Sequence, residues 1–484
     1  MRIQRKPFFI SCLTIILIFS GMSAQAQRKR NKKATAPEKK VIIEDIRFYD
    51  NKKTKNFVLE NEFLFKKGDT MSYSRFTRDL RQSKLNLTNT SLFNFVTVDT
   101  IISPLESGYK SALVQVRVLE RWYVWPIPIL ETTDRNFNAW LKTKDYTRIN
   151  YGVDLKWYNF TGRHDDLGLV ACWGKNQRFG LSYKYPYINK SRHFGSSISV
   201  SYTRNKEIGV KTEEDKLEYI FSPHDLSTQK NISIGFIYRH TPFISQEFSL
   251  GYDNYIFSDT VVIANPEYTY KNGEKLNFLT LAYKLKLDYR DVRFYPLHGW
   301  YSDVEIIKKG LGFGFEKPVD IGTLKTSGRY YWQFGKKWYA ATSLVLKFST
   351  SAYQPYFFMK GLGYEQDYVR GYESYVIDGK DYGYSRSSIK YELFPKRVVD
   401  LKWLRLSKFS KIHFTTYLNG FLDMGYVNQP QWRESSTNKL PKTLLLGGGV
   451  GMDVVTYYDK IFRIEYAINK MGKTNFSFHF VTGI

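Results

Sequence analysis

Seven histidines are the first residues to weigh for chemistry. They stand at positions 164, 193, 224, 240, 298, 413 and 479, and none falls in a His-Glu-x-x-His pair or a close cluster. A zinc site needs several imidazole or thiolate donors brought together. "GRHDDLG" (162–168) offers His164 beside two acids, a pattern that a loop between strands explains equally. The glycine runs "GLGFG" (310–314) and "GGGVG" (447–451) lack the Lys-Ser/Thr pair of a phosphate-binding loop. No Ser-His-Asp arrangement stands out. These absences argue against an enzyme, a metal centre or a cofactor. What remains is a charge without an evident purpose: Arg370 in "DYVRGYES" (367–374), flanked by Val369, Gly371 and Tyr372 between two β-like stretches.

The elements that must position this arginine follow from composition. The 484-residue chain is 17% aromatic, with 38 tyrosines and a mean hydropathy of −0.41. Helical membrane proteins are far more apolar, and disordered chains far less aromatic. Residues 1–26 combine a basic "MRIQRK", a 12-residue apolar core "FFISCLTIILIF" and the small-residue site "AQA". The core is too short to span a bilayer, so the segment reads as a cleaved secretory signal. Cys12 leaves with it, and Cys172 then has no disulfide partner. "QRKRNKKATAPEKK" (27–40) reads as a basic tether. The net charge of +26 would suggest nucleic acid in a cytoplasmic protein. In an exported one it fits anionic lipid or lipopolysaccharide headgroups, or a plain solvated surface.

Residues 41–121 read as a small α/β module. "VIIEDIRFY" is strand-like, and Thr54 is placed to cap a short helix through "KNFVLENEFLF". Ser72 is placed to cap a second helix, with Phe76, Leu80, Ser83 and Leu87 on one face. "FNFVTVDTII" and "ALVQVRVLE" supply two more strands. From about Trp140 onward, period-two segments recur between Gly, Asn, Asp and Lys clusters. In "IHFTTYLNGFLD" the even positions, such as Leu418 and Leu422, are mostly apolar. The odd positions include Asn419 and Asp423. Asp453, opposite Met452, and Glu465, opposite Ile464, share that polar parity. "NFSFHFV" sets Phe476, Phe478 and Phe480 against Ser477 and His479. A β-sandwich or a propeller would bury such faces in protein. A transmembrane barrel turns them to lipid, with polar residues toward the lumen. The 345 residues from 140 to 484 allow roughly 22 per strand for sixteen antiparallel strands.

Four stretches carry a family resemblance. "YVRGYE" resembles the signature of the BamA/TamA superfamily of outer-membrane assembly and translocation barrels. "DYRDVRFYPLHGWYSDVEI" (288–306), "SIKYELFP" (388–395) and "FLDMGYV" (421–427) are similar to further strands of that family, in the same order. Residues 41–121 look like one POTRA domain, the repeat that precedes such barrels. The resemblance implies a hinge at 122–139, entered through "ERWYVWPIPILE" (120–131), and a barrel over 140–484. The principal assembly subunits carry several such repeats, and the tether is short for the plug helix of two-partner exporters.

The resemblance also implies a role for the arginine. In the family the Arg-Gly motif tips a loop that folds back into the barrel, where a buried charge needs a carboxylate. Asp423 is the natural acceptor by parity, with Asp453 and Glu465 in reserve. Gly371 permits a tight turn, and the Phe476, Phe478 and Phe480 strand stands at the family's insertion signal. The implied function is nucleotide-independent insertion or translocation of unfolded outer-membrane or secreted proteins. The implied location is the bacterial outer membrane, with the module in the periplasm and accessory lipoproteins as candidate partners. The alternative is a passive pore or structural barrel that keeps the loop.

Overall fold

The computed structural model describes residues 40–105, 109–132, 149–189, 191–270, 273–311, 319–351, 353–400, 411–430 and 436–481. The expected signal segment and nearly all of the tether lie outside the described residues.

The N-terminal module comprises β1 (Lys40–Tyr49), α1 (Asn56–Glu60), β2 (Thr70–Ser72), α2 (Tyr73–Asn89), β3 (Phe93–Pro104) and β4 (Lys110–Glu120). They form one sheet of order β2-β1-β4-β3, with β1 and β4 parallel. The alternation in β4 has its expected effect. Ala112, Val114 and Val116 are fully buried against Phe76 and Leu87 of α2. Ser72 caps α2 by accepting the Arg75 N–H at 3.4 Å. Thr54 does not cap α1, contrary to the expectation. Its amide and its hydroxyl both donate to Glu120 at 2.7 Å, and α1 starts at Asn56 without a side-chain cap. A buried carboxylate outcompetes a helix end for donors because leaving it unsatisfied costs more.

Sixteen strands then pair antiparallel in one sheet. They begin with β5 (Val124–Thr132), β6 (Ile149–Trp157), β7 (Asp166–Gly174), β8 (Gln177–Tyr185) and β9 (Phe194–Asn205). A small hairpin of β10 (Glu207–Glu213) and β11 (Lys216–Phe221) interrupts the series. It resumes with β12 (Ser227–Thr241), β13 (Ile244–Phe257), β14 (Lys275–Asp288), β15 (Gly299–Lys309), β16 (Ile321–Gln333) and β17 (Trp338–Ser349). After a long loop holding β18 (Lys360–Leu362) and β19 (Ile377–Asp378), it closes with β20 (Asp381–Asp400), β21 (Lys411–Asn428), β22 (Leu445–Thr456), β23 (Lys460–Asn469) and β24 (Thr474–Val481). Sixteen strands were expected, but the hinge over 122–139 is corrected. Val124 to Thr132 pair with Trp157 to Ile149 in unbroken register, so the barrel starts inside it. Pro126 and Pro128 hide that strand from a propensity reading.

Side chains alternate across the barrel wall. On β21, Tyr417, Asn419, Phe421 and Asp423 are buried inward, while Leu418, Leu422, Met424 and Tyr426 are exposed outward. Phe476, Phe478 and Phe480 are 69%, 61% and 54% exposed. An outward belt this apolar suits hydrocarbon and no aqueous surface. Among the described residues no helix is long and apolar enough to cross a membrane. The sheet curls until Trp125 of β5 lies edge-on to Tyr458 in the β22–β23 turn, ring centroids 5.2 Å apart.

The module sits on the rim below that turn. Arg121 grips Asp459 with two bonds of 2.6 and 2.8 Å, and Arg239 of β12 grips Glu62 with two of 2.6 and 2.8 Å. Asn89 accepts from the Arg293 N–H and donates to the Asp291 carbonyl. At the opposite rim the β10–β11 hairpin folds over the long loop. The Asp215 carboxylate accepts the Lys439 and Leu440 amides there, and its carbonyl accepts the Val376 N–H.

Candidate functional site

The loop joining β17 to β20 leaves the far rim and turns into the lumen. Its descent is fixed first at Asp367, whose carboxylate accepts Lys325 at 2.7 Å and the Tyr382 and Tyr384 hydroxyls at 2.6 and 3.0 Å. Burial pushes this carboxyl up, but Lys325 and Tyr382 more than offset it and hold it below the usual carboxylate range. The Tyr368 carbonyl accepts the Arg386 guanidinium at 2.6 and 3.1 Å. Val369 and Tyr372 are buried with Leu362, Ile377, Val427 and Leu445. The motif is thus held from both sides before its arginine is considered.

Arg370 is 8% exposed and faces β21 to β23. Its Nε and Nη2 donate to the two oxygens of Asp423 at 2.8 and 2.7 Å, and its backbone N–H reaches Oδ2 at 3.2 Å. Nη1 donates to Glu465 Oε1 at 2.9 Å. The guanidinium carbon lies 3.8 Å over the Phe421 ring. A bidentate fork, a second carboxylate and an aromatic face together use what guanidinium offers and ammonium does not. Asp423 is fully buried and depends on this cation, whereas Glu465, 2% exposed, also has Arg463 at 3.9 Å.

Two glycines make the approach possible. Gly371 has φ of +90°, and its carbonyl accepts Asn469 Nδ2 at 2.8 Å. A Cβ on Gly447 would stand 1.9 Å from the Arg370 carbonyl oxygen. Of the glycine face of β22, ambiguous in sequence between a smooth wall and a bend, Gly447 is the floor for the loop, while Gly449 and Gly451 abut β21 and β23.

Asp453 takes no part, and its expected role as a loop partner is corrected. Its carboxylate is held by Arg463 at 2.7 and 3.0 Å and by the Tyr295 hydroxyl at 2.9 Å. Parity assigns a side of the strand but not a height along the barrel. Asp453 faces Tyr417 on β21, six positions from Asp423, roughly 20 Å at strand rise. Tyr295 comes from a second inward loop, 289–298, and stacks on Tyr417 at 4.9 Å. Lys390 Nζ lies 4.1 Å over the Tyr295 ring without a hydrogen-bond partner, lining a luminal cavity of about 450 Å³.

An Omp85 superfamily domain model matches residues 159–484, and a surface antigen variable number repeat, the POTRA model, matches residues 41–121. The chain belongs to the Omp85 superfamily. No curated protein matches it in sequence. Among solved structures it is similar to CdiB from Escherichia coli, at 13% identity and a TM-score of 0.51, covering 91% of this chain and 74% of that one. CdiB from Acinetobacter baumannii matches at 13% and 0.48, over 92% and 73% of the two chains. BamA from Haemophilus ducreyi lacking POTRA domains 1–3 matches at 13% and 0.48, over 91% and 83%. The fold is an Omp85 barrel with a single POTRA domain.

Three parts of this Omp85 site escape sequence reading. Phe421 had a signal, an aromatic on the polar parity of β21. Asn469 had the same signal, sharing the polar parity of Glu465 on β23, but the Lys325–Asp367 pair had none, because a long loop's landing place is set by tertiary path rather than by spacing.

Proposed function

We propose that this Omp85 protein inserts or translocates unfolded proteins at the outer membrane of a bacterium, with the POTRA domain in the periplasm. The reading requires no enzyme activity, nucleotide, metal or other cofactor. One observation carries it: among the described residues, no ladder joins β5 to β24, the two ends of the sixteen-stranded sheet. A strand edge left unpaired in hydrocarbon is costly, so it is a place where another strand binds. The basic surface suits anionic lipid and lipopolysaccharide, and accessory lipoproteins are candidate partners at the module. A passive pore is less well supported, because the loops carrying Arg370 and Tyr295 occupy the lumen and the module covers one rim.

The direct test is reconstitution of the purified full-length chain in phospholipid vesicles. A urea-denatured outer-membrane barrel protein is added, and its folding is followed by its heat-modifiable gel shift. Folding accelerated well beyond that in empty vesicles is expected. Unchanged folding together with ion conductance would return the reading to a pore.

A further inference from the structure

Lipid-facing positions near the rim opposite the module carry cations that neither the loop nor the module contacts use. On β12 the outward residues run Thr228, Lys230, Ile232, Ile234, Phe236, Tyr238 and His240. Ile232, Ile234 and Phe236 are exposed on the lipid side, whereas Asn231, of the other parity, donates to Asp253 in the lumen. Lys230 and His240 therefore bracket the apolar stripe. At ~3.3 Å rise per residue and a tilt near ~40° they stand about 25 Å apart in depth, the height of a barrel's apolar band. Arg239, next to His240, grips Glu62 of the module. Lys230 thus lies at the headgroup level of the far leaflet.

The neighbouring strands repeat this boundary in register. Lys230 pairs across with Tyr202 of β9 and Asn254 of β13, and Asn254 with Asn277 of β14. The next lipid-facing row toward the module reads Val200, Ile232, Tyr252 and Leu279. The next row away from it reads Arg204, Thr228, Ile256 and Lys275. Three cations thus crown one apolar panel. Arg204 is answered by Asp225, with Nε donating at 2.6 Å. Lys230 and Lys275 are exposed and meet no carboxylate among the described residues. Glu274 adjoins Lys275 on the opposite parity. Between the lysines Asn254 Nδ2 donates to Asn277 Oδ1, which leaves Asn277 Nδ2 and Asn254 Oδ1 to meet a polar ligand.

We propose that this panel seats the phosphorylated sugar headgroup of a glycolipid of the lipopolysaccharide type, its acyl chains lying along Val200, Ile232, Tyr252 and Leu279. A lysine on the lipid face is costly at the membrane midplane and costs little at the interface, where an anionic headgroup turns it to advantage. From Arg204 to Lys275 the panel crosses the adjacent strands β9, β12, β13 and β14, roughly 14 Å at ~4.8 Å per strand. One phospholipid phosphate does not reach across that width. A sugar headgroup bearing two phosphates does, with a charge-assisted contact at each side and the asparagine amides between them on its hydroxyls. The assignment rests on the outer-membrane placement proposed above, with the module in the periplasm, and not on the insertion step.

The test is native mass spectrometry of the full-length protein in a neutral detergent, with diphosphoryl lipid A as the probe. One adduct per chain is expected. Monophosphoryl lipid A or phosphatidylglycerol at the same concentration should give at least ~five-fold less. Lys230→Ser/Lys275→Ser, checked for its heat-modifiable shift, should lose the adduct by a similar factor. Lys66→Ser/Lys67→Ser on the module, which removes the same charge, should keep it. An adduct undiminished in the first double variant, or lost equally in both, would overturn the site. Equal adducts with phosphatidylglycerol would make the occupant any anionic lipid and overturn the glycolipid assignment. No adduct in the parent, with substrate folding still accelerated in vesicles, would overturn the site while leaving insertion intact. No adduct and no acceleration would remove both.

Discussion

On β21 to β23 the luminal wall meets Arg370 with Asp423, Glu465 and the Phe421 ring. One strand further, the outer edge of β24 meets no neighbouring strand among the described residues. Both regions could have followed the common rule that polar groups away from water are paired. The first does so with charged side chains, each buried carboxylate answered by a guanidinium. The second leaves backbone donors and acceptors unanswered. The contrast separates two tasks. Side-chain charges hold the strands near the end of the barrel in place, and the backbone edge they brace stays available. A rigid template with a free edge suits strand addition better than a uniformly closed wall.

Breaking the latch should have the largest effect on this contrast. Arg370→Ala leaves Asp423 buried without its cation and Glu465 with only Arg463, 3.9 Å away, at a cost of ~3–5 kcal/mol. The barrel should still form, with its gel shift retained, but limited proteolysis should now cut within residues 350–380, and vesicle insertion should fall. Arg370→Lys should restore part of the resistance, because an ammonium cannot serve both oxygens of Asp423 as a fork does. A protease-resistant, fully active Arg370→Ala protein would mean the loop is held by Asp367 and the Tyr372 cluster alone.

The rim contact offers a second comparison. Glu62 is 2% exposed and faces Arg239. Glu62→Gln keeps a hydrogen-bonding amide but removes the charge, for a loss of ~2–3 kcal/mol. Undocking of the module, read as faster amide exchange in residues 55–65, is expected without change in the latch loop. Exchange rising equally in both would show that the two ends of the barrel are coupled.

Gly447→Ala sharpens the comparison within the wall. The added Cβ meets the Arg370 carbonyl oxygen at 1.9 Å, so loop or strand must shift, at ~1–2 kcal/mol for an overpacked site. Gly420→Ala is the control, since its Cβ would meet nothing within 4 Å on the lipid face of β21. Latch-loop proteolysis should increase in the first variant only.

How far these features were legible in the sequence depends on the range of the interaction. Period-two alternation was enough to put Asp423 inside and Phe478 outside, because side-chain direction in a strand is a local property. It was not enough to exclude Asp453, whose distance from Arg370 is set by strand stagger. Glu62 and Arg239 lie 177 positions apart, and nothing local in "LENEFLF" marks Glu62 as an anchor. Pro126 and Pro128 argued against a strand, yet the structure places them on the one edge of β5 where no donor is needed. The element was hidden by the very residues that define its edge.

The smallest expected effect lies at the docked rim and is carried by pH. His164 sits in the β6–β7 connection near the Tyr187 ring, its Nδ1 enclosed without a partner. Burial is the main cause holding its imidazole down at about 4. The nearby Glu62 carboxylate opposes this, and Arg239, Arg293 and Lys184 reinforce it. An unfolded histidine titrates near ~6.5, so between that pH and about 4 the unfolded chain binds a proton that the folded one refuses. Stability therefore holds above the ordinary value and is lost as pH falls through the window, by ~1 kcal/mol at pH ~6. The thermal midpoint of the detergent-solubilised protein should drop by a few degrees or less between pH ~7.5 and ~6, and His164→Gln should flatten that drop. Arg370 lies in the lumen and not at the docked rim, so Arg370→Lys should keep the full slope. A slope that survives His164→Gln would place the acid sensitivity elsewhere and leave the rim without its titrating member.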